Sequence, residues 1–196
     1  MQATVEAPYL HAPRRIERWG SERPLYFLTL FFALGLWLAI TVSVIGLIYG
    51  AMIGLFVFVG HMALIAHLRG SAVRLGPEQM PELHARVAEI AAQLGMKKAP
   101  DAYVMQQGGT LNAFATKFFG TQFIVLYSDL LEACGDNQEA RDFIIAHELG
   151  HLAAGHLRAR WLILPGLIMP FLGTAYSRAC EYTSDRYGIS IARNRD

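Results

Sequence analysis

The sequence is poor in charged residues and in cysteine, and both shortages limit what the protein can be. Asp, Glu, Lys and Arg make up 17% of its 196 residues and apolar residues 54%, against averages of about 25% and about 45–50% in soluble proteins. A membrane segment is therefore the first expectation. Cys134 and Cys180 are too few for a disulfide framework and favour a reducing compartment. With a net charge of +1 and no basic stripe, nucleic-acid binding is not expected.

Charged residues are missing altogether between residues 25 and 68. As one helix, residues 25–68 would extend about 66 Å, against about 30 Å for the hydrocarbon core of a bilayer. The run must therefore turn, which predicts a transmembrane helical hairpin with spans at residues 25–44 and 51–68. A signal peptide is disfavoured, because its apolar region is only about 7–15 residues long.

Glycines recur every fourth residue within this run, at Gly46, Gly50 and Gly54. Such spacing is found on close-packed helix faces, but the length of the run favours a second interpretation, in which these glycines form the corner of the hairpin. Residues 1–24, which come before the hairpin, are polar and interrupted by prolines. They predict a poorly ordered tail.

Arginines at both ends of the hairpin predict its orientation. They are Arg14, Arg15, Arg18 and Arg23 before it, and Arg69 and Arg74 after it. The turn between the spans has no positive residue. Since positive residues tend to stay in the cytoplasm, both ends of the hairpin and the domain that follows are expected to face the cytoplasm.

Residues 69–196 have the composition of a soluble domain. Helical patterns cover residues 78–94, 129–134, 137–160 and 176–191, and strand patterns cover residues 102–105 and 121–127. Ser128 is expected to cap the short helix, and Asp136 with Glu139 forms a possible capping box for the next one. Residues 161–172 are apolar but too short to span a membrane as a helix; they dip into the interface, pack on the hairpin or cover the site. The predicted class is α+β, mainly helical with a small sheet.

The most specific motif is H-E-x-x-H at residues 147–151. On a helix, His147 and His151 fall on nearly one face, so both imidazoles can reach a single ion, and Glu148 can contact a water on that ion. Zinc in such sites has a third protein ligand and an open fourth position. The flanking residues are apolar, and two histidines and a glutamate buried there without a partner would be costly. We therefore predict one Zn²⁺ per chain, with Glu148 as general base on a zinc-bound water.

Glu181 and Asp185 are candidates to complete this site. Four residues apart, they lie on one helical face, so Glu181 can be the third ligand while Asp185 accepts the second N–H of a ligand histidine. The reverse assignment, with Asp185 on zinc and Glu181 behind it, is chemically possible. His156 would lie about 140° round a continuous helix from His151, which is outside the ligand set. Asn112 either hydrogen-bonds a substrate backbone or braces its own loop.

The sequence resembles the HtpX-like membrane zinc metallopeptidases, the family that includes the type I CAAX prenyl proteases. The resemblance covers about residues 83–188. It rests on N-A-F-A-T at residues 112–116, on the H-E-x-x-H motif with Gly155-His156 behind it, and on E-x-x-x-D at residues 181–185.

This resemblance implies a gluzincin-type fold, with zinc on His147, His151 and Glu181. It also implies endoproteolysis of membrane or misfolded polypeptides, at the lipid bilayer of a bacterial inner membrane. An edge strand near residues 123–127 would align the substrate by strand addition. The oligomeric state stays open.

The chain departs from this family at two places. The family has further membrane spans between the H-E-x-x-H helix and the glutamate, where this chain has only residues 161–172. The family also continues beyond the position of Asp196 with helices that close the cleft, so a truncated domain is one interpretation. These departures motivate an alternative function, a catalytically weak or inactive metal-binding membrane protein that recruits partners. An intramembrane protease is disfavoured, because charged residues bracket the motif helix too closely for a span.

Overall fold

The computed structural model describes residues 16–106, 108–109, 111–118, 120–158 and 160–192. Its elements in chain order are α1 (Glu22–Val42), α2 (Val44–Ser71), β1 (Val73–Arg74), α3 (Pro81–Gln93), β2 (Asp101–Met105), β3 (Ala113–Phe118), β4 (Thr121–Tyr127), α4 (Ser128–Cys134), α5 (Gln138–Ala153), α6 (Arg160–Leu167) and α7 (Leu172–Ala192). The chain is mainly helical with a small mixed sheet, as predicted. Strands β1 and β3 were not expected from the sequence.

Helices α1 and α2 are long and apolar enough to cross a membrane. Only 11% of the most apolar stretch of α1, and none of that of α2, is buried within the protein. Large side chains point outward along both helices; Phe31 is 70% and Phe56 78% exposed. Core helices of a soluble protein are mostly buried, so this exposure suggests association with a membrane.

The corner of the hairpin lies at Ser43 and not at the glycines, so that prediction is wrong. Ser43 is extended, and its Oγ accepts a hydrogen bond from the N–H of Gly46 at 3.1 Å, which caps α2. Gly46 and Gly50 lie inside α2 and face Ile40. A Cβ would approach the Ile40 carbonyl oxygen to 2.8 Å at Gly46 and the Ile40 Cγ2 to 3.2 Å at Gly50. The close-packing interpretation therefore describes these two glycines.

The sheet has the strand order β1-β2-β4-β3. Strand β4 pairs in parallel with β2 and antiparallel with β3, so it is central and β3 is an edge. The expectation of an edge strand at residues 123–127 is therefore wrong. Ile124 of β4 packs in the cluster with α3 and α5, whereas Phe123 and Val125 pack with Leu68 at the end of α2. Because side chains of a strand alternate between its faces, β4 is buried on both.

A buried ion pair joins α3 to α5, the helix that carries the H-E-x-x-H motif. Arg86 donates from Nε to Oδ1 of Asp142 at 2.9 Å and from a terminal nitrogen to Oδ2 at 2.6 Å. Asp142 is fully buried. Helix α5 is capped by Asn137, whose side chain accepts from the Ala140 N–H, and not by the expected Asp136. It ends at Ala153, seven residues before the predicted end.

The apolar residues 161–172 pack on the hairpin, one of the three alternatives. Trp37 of α1 donates from Nε1 to the carbonyl of Leu162 in α6 at 2.9 Å. Gly166 of α6 lies so close to Thr29 of α1 that a Cβ would meet the Thr29 carbonyl oxygen at 2.2 Å. Helix α6 is therefore fitted to α1.

The segment before the hairpin is also packed where the structure describes it. Residues 1–15 of the expected tail, with Arg14 and Arg15, lie outside the described residues. Within the remainder, the Trp19 ring lies against that of Tyr182 of α7, with the ring centroids 4.8 Å apart and the planes tilted by 49°. Glu22, expected in the tail, begins α1 and is 2% exposed.

Candidate metal centre

The candidate site forms where α5 crosses α7, and two glycines allow the helices to approach. A Cβ at Gly150 of α5 would lie 2.9 Å from the Cβ of Tyr187, and one at Gly188 of α7 would lie 2.7 Å from the ring of Phe143. Real Cβ atoms rarely come closer than 3.0 Å to another heavy atom. The crossing therefore depends on the absence of side chains at both positions.

Three predicted site residues converge at this crossing. Ligand atoms of His147, His151 and Glu181 all lie within 4.8 Å of one another. Oε2 of Glu181 is 3.2 Å from Nε2 of His147 and 3.5 Å from Nε2 of His151. The histidines are largely buried and the Glu181 side chain is 55% exposed. One side of the site thus lies among helices and the other is open to an approaching molecule.

Asp185 lies behind this cluster, at the other ring nitrogen of His147. Its Oδ1 is 3.0 Å from Nδ1 of His147. A proton on Nδ1 of His147 donates a hydrogen bond to Asp185, and a proton on Nε2 donates one to Glu181. The carboxylates therefore hold opposite ring nitrogens of the same imidazole.

The charges of the site shift its proton affinities. Hydrogen bonds from His147 and His151 hold the pKa of Glu181 well below its usual range. Burial acts to lower the pKa of His147, but the hydrogen bond to Glu181 and the negative charges of Glu148 and Asp185 outweigh it, so this pKa is raised. A cation is thus favoured between these groups.

Glu148 lies between the histidines and the edge of the sheet. Burial raises the pKa of its carboxyl, although the neighbouring imidazoles and a hydrogen bond from the backbone of Ala115 oppose the rise. Ala115 belongs to β3, whose other edge is paired with β4. The unpaired edge of β3 therefore runs directly past Glu148.

Asn112 precedes β3 and is exposed. Its Oδ1 accepts a hydrogen bond from the Ala113 N–H at 2.9 Å, and its carbonyl accepts from the Tyr127 N–H at 3.1 Å. These contacts correspond to the bracing interpretation of Asn112. A contact with substrate stays a prediction.

Two further buried groups adjoin the site, and the sequence predicted neither of them there. Helix α5 ends at Ala153, and Gly155 has a φ of +78°, so the chain turns back after the helix. His156 therefore does not lie about 140° round the helix from His151 as expected. Its Nδ1 is 2.9 Å from Nδ1 of His151. Burial lowers the pKa of His156. Behind it, Oε1 of Glu22 lies 3.5 Å from Nε2 of His156.

No sequence pattern could have indicated Glu22. It is one acidic residue in an arginine-rich segment, and its contact with Thr183 spans 161 positions of the chain. For His156 a signal existed, since glycine at position 155 favours the end of a helix.

Comparison with known proteins supports the metallopeptidase interpretation. No curated protein matches the chain. Residues 77–172 match the sequence model of peptidase family M48. The matched region contains His147, Glu148 and His151 and ends before Glu181, so the proximity of Glu181 to the histidines rests on the structure alone. Over these residues the chain is similar to the M48 metallopeptidases, a family that includes HtpX and the CAAX proteases.

Proposed function

We propose that the protein is a membrane-anchored, zinc-dependent endopeptidase of the HtpX-like type, with a gluzincin-type domain at residues 69–196. The observation that carries this proposal is the convergence of His147 Nε2, His151 Nε2 and the Glu181 carboxylate on one point, with Glu148 beside it. The match to peptidase family M48 supports the same reaction class.

The donor set suits zinc. Two imidazoles and one carboxylate form the ligand set of several zinc peptidases, which keep a fourth position open. Asp185 would fix the tautomer of His147 and raise its basicity, as carboxylates behind zinc-bound histidines do. Zinc bound here would supply Lewis-acid polarisation of a peptide carbonyl and lower the pKa of a water.

The residues of the chain then perform the proton transfers. The Glu148 carboxylate accepts a proton from the attacking water and returns it to the departing amine. Its raised pKa favours both roles, because a general base works best when its pKa lies near the working pH.

The unpaired edge of β3 is the natural place for the substrate backbone. A polypeptide added antiparallel along Ala113–Phe118 would pair with the edge of β3 that is not bonded to β4. Ala115 on this strand contacts Glu148, so a paired segment would pass the general base. The strand-addition role implied for residues 123–127 is therefore proposed for β3, with membrane or misfolded polypeptides as substrates.

The two apolar helices support a location in the membrane. Arg23 lies in the first turn of α1 and Arg69 in the last turn of α2, so both ends of the hairpin carry positive charge. We propose that α1 and α2 span a bacterial inner membrane and that the metal centre faces the cytoplasm.

Cleavage of an unfolded protein tests the function. Glu148→Gln should retain zinc but lose cleavage of casein by about 10²–10⁴-fold, the usual contribution of a general base. Glu132→Gln, the same change at an exposed carboxylate of α4, should cleave at the wild-type rate. Undiminished cleavage by Glu148→Gln would refute the assignment. Zinc binding without any wild-type cleavage would favour the alternative of a metal-binding protein that recruits partners.

A further inference from the structure

The segment that leads into the first membrane helix is attached to the helices of the metal centre. The N–H of Trp19 donates to Oγ1 of Thr183 in α7 at 2.9 Å. Arg186 of α7 donates to the carbonyls of Glu17 and Arg18 at 3.1 and 3.2 Å, and its guanidinium lies 4.9 Å from the centre of the Trp19 ring. These contacts fix residues 17–19 on α7, the helix that carries Glu181.

Glu22 is the buried end of this attachment. It is 2% exposed, and it accepts hydrogen bonds from the guanidinium of Arg18 and the hydroxyl of Thr183. Its Oε1 lies 3.5 Å from Nε2 of His156. A carboxylate this far from water requires partners, and His156 is the one that leads to the metal centre.

His156 connects Glu22 to His151. Its Nδ1 lies 2.9 Å from Nδ1 of His151, while Nε2 of His151 faces Glu181. With zinc on Nε2, His151 carries its proton on Nδ1 and donates a hydrogen bond to Nδ1 of His156. His156 must then carry its own proton on Nε2, the nitrogen that faces Glu22. Nε2 of His156 is buried and has no hydrogen-bond partner within normal range among the residues that the structure describes, and Oε1 of Glu22 at 3.5 Å is the acceptor that this tautomer would face.

We propose that Glu22 is a positioning residue of the metal centre, which acts through His156 to fix the tautomer and ring orientation of His151. It would do for His151 what Asp185 does directly for His147. The proposal rests on the zinc site of the proposed function. It also makes the start of the membrane hairpin part of the metal centre.

A double-mutant cycle on the zinc affinity of the full chain tests this. Partners behind a metal ligand contribute about 10–100-fold to affinity, so His156→Ala and Glu22→Ala should each weaken zinc binding within that range, measured by competition with a chelator in detergent. The double variant should bind zinc as His156→Ala does, because Glu22 acts only through His156. If the double variant loses zinc affinity by the product of the two single-variant factors, the proposal is overturned. It is also overturned if neither single variant loses zinc affinity.

Two further variants separate positioning from support of the fold. Arg186→Ala removes the bonds to Glu17 and Arg18 without touching Glu22 or His156, and it should leave the zinc affinity unchanged. Glu22→Gln keeps an oxygen that can accept from His156, and it should restore most of the affinity lost in Glu22→Ala. An equal loss in Arg186→Ala would show that mere attachment of the segment matters and would refute the role of Glu22.

The tautomer of His156 gives a test that needs no variant of Glu22 to fold. In the zinc-loaded, ¹⁵N-histidine-labelled protein, NMR should find the proton of His156 on Nε2, with its signals assigned by their loss in His156→Gln. A proton on Nδ1 would contradict the proposal. A wild-type chain that binds no zinc would instead refute the proposed zinc site, so the two failures are distinguishable.

Discussion

The α5–α7 crossing and the α1–α2 hairpin are both pairs of neighbouring helices, but different forces hold them in place. At the crossing, side chains are matched atom by atom: Gly150 lies under Tyr187, and His147 lies against both Glu181 and Asp185. In the hairpin, glycines contact only Ile40 near the corner, and most large side chains face outward. Close packing at glycines and polar contacts therefore fix the first pair, whereas the second pair leaves most of its large apolar side chains exposed.

Fitted contacts join α1 of the hairpin to the rest of the domain. Trp37 and Thr29 of α1 hold α6, and Glu22 joins the start of α1 to His156. The hairpin is therefore more than an anchor, because its first turn and one of its faces are built into the domain.

The largest loss of stability is expected from Asp142→Ala, on the metal-centre side of the comparison. The variant removes the carboxylate whose hydrogen bonds do most to raise the pKa of Arg86, and the guanidinium, 21% exposed, keeps Glu89 as a partner. Breaking such a pair costs about 3–5 kcal/mol. Thermal unfolding should show this loss, while Asp101→Ala, which breaks the exposed pair with Arg74, should cost less than about 1 kcal/mol. Equal losses would contradict the contrast.

Glu181 and Asp185 should differ in their effects on zinc. Loss of a partner behind a ligand costs about 10–100-fold in affinity, which is the range expected for Asp185→Ala. Glu181→Ala removes a ligand and should exceed that range. Chelator competition measures both, and a greater loss in Asp185→Ala would indicate the reverse assignment of the two carboxylates.

Alanine at two glycines compares the helix pairs directly. Gly150→Ala places a methyl group 2.9 Å from Tyr187, and overpacking of this kind costs about 1–3 kcal/mol. In Gly54→Ala the new methyl meets nothing within 4 Å, so no loss of stability is expected. Unfolding in detergent should separate the two variants, and a larger loss at Gly54 would contradict the packing described for the crossing.

The smallest expected effect is a shift in the pH dependence of zinc binding. Zinc requires neutral imidazole, and the pKa of His147 is raised, in part by the charge of Glu148. Affinity should therefore begin to fall at a higher pH than an ordinary histidine would give. Glu148→Gln removes one of the charges that raise this pKa, so its loss of zinc should begin at a lower pH. Zinc titrations across pH measure the shift, and one in the opposite direction would contradict the role of Glu148 in raising this pKa.

The sequence was most informative where function depends on local spacing. Residues four apart on a helix share a face whatever the rest of the fold does, so His147 with His151, and Glu181 with Asp185, could be paired from their spacing alone. The apolar run likewise predicted two helices, because its length admits few other arrangements.

Predictions failed where the outcome depends on contacts between distant segments. Strand order is one case: β4 was expected at the edge, but a parallel pairing with β2 makes it central and leaves β3 outside. The end of α5 and the position of Glu22 are others. The apolar pattern continues past Ala153, and nothing near Glu22 in the sequence indicates that α7 and His156 surround it.

X-ray absorption of the zinc-loaded, full-length protein tests the central claim most directly. We expect one zinc per chain with two imidazole nitrogens at about 2.0–2.1 Å and oxygen donors at about 2.0–2.2 Å. Glu181→Ala should lose one of the oxygen donors. A sulfur donor at about 2.3 Å, such as Cys180 beside Glu181 would supply, or an unchanged spectrum in Glu181→Ala, would contradict the site described at the crossing of α5 and α7.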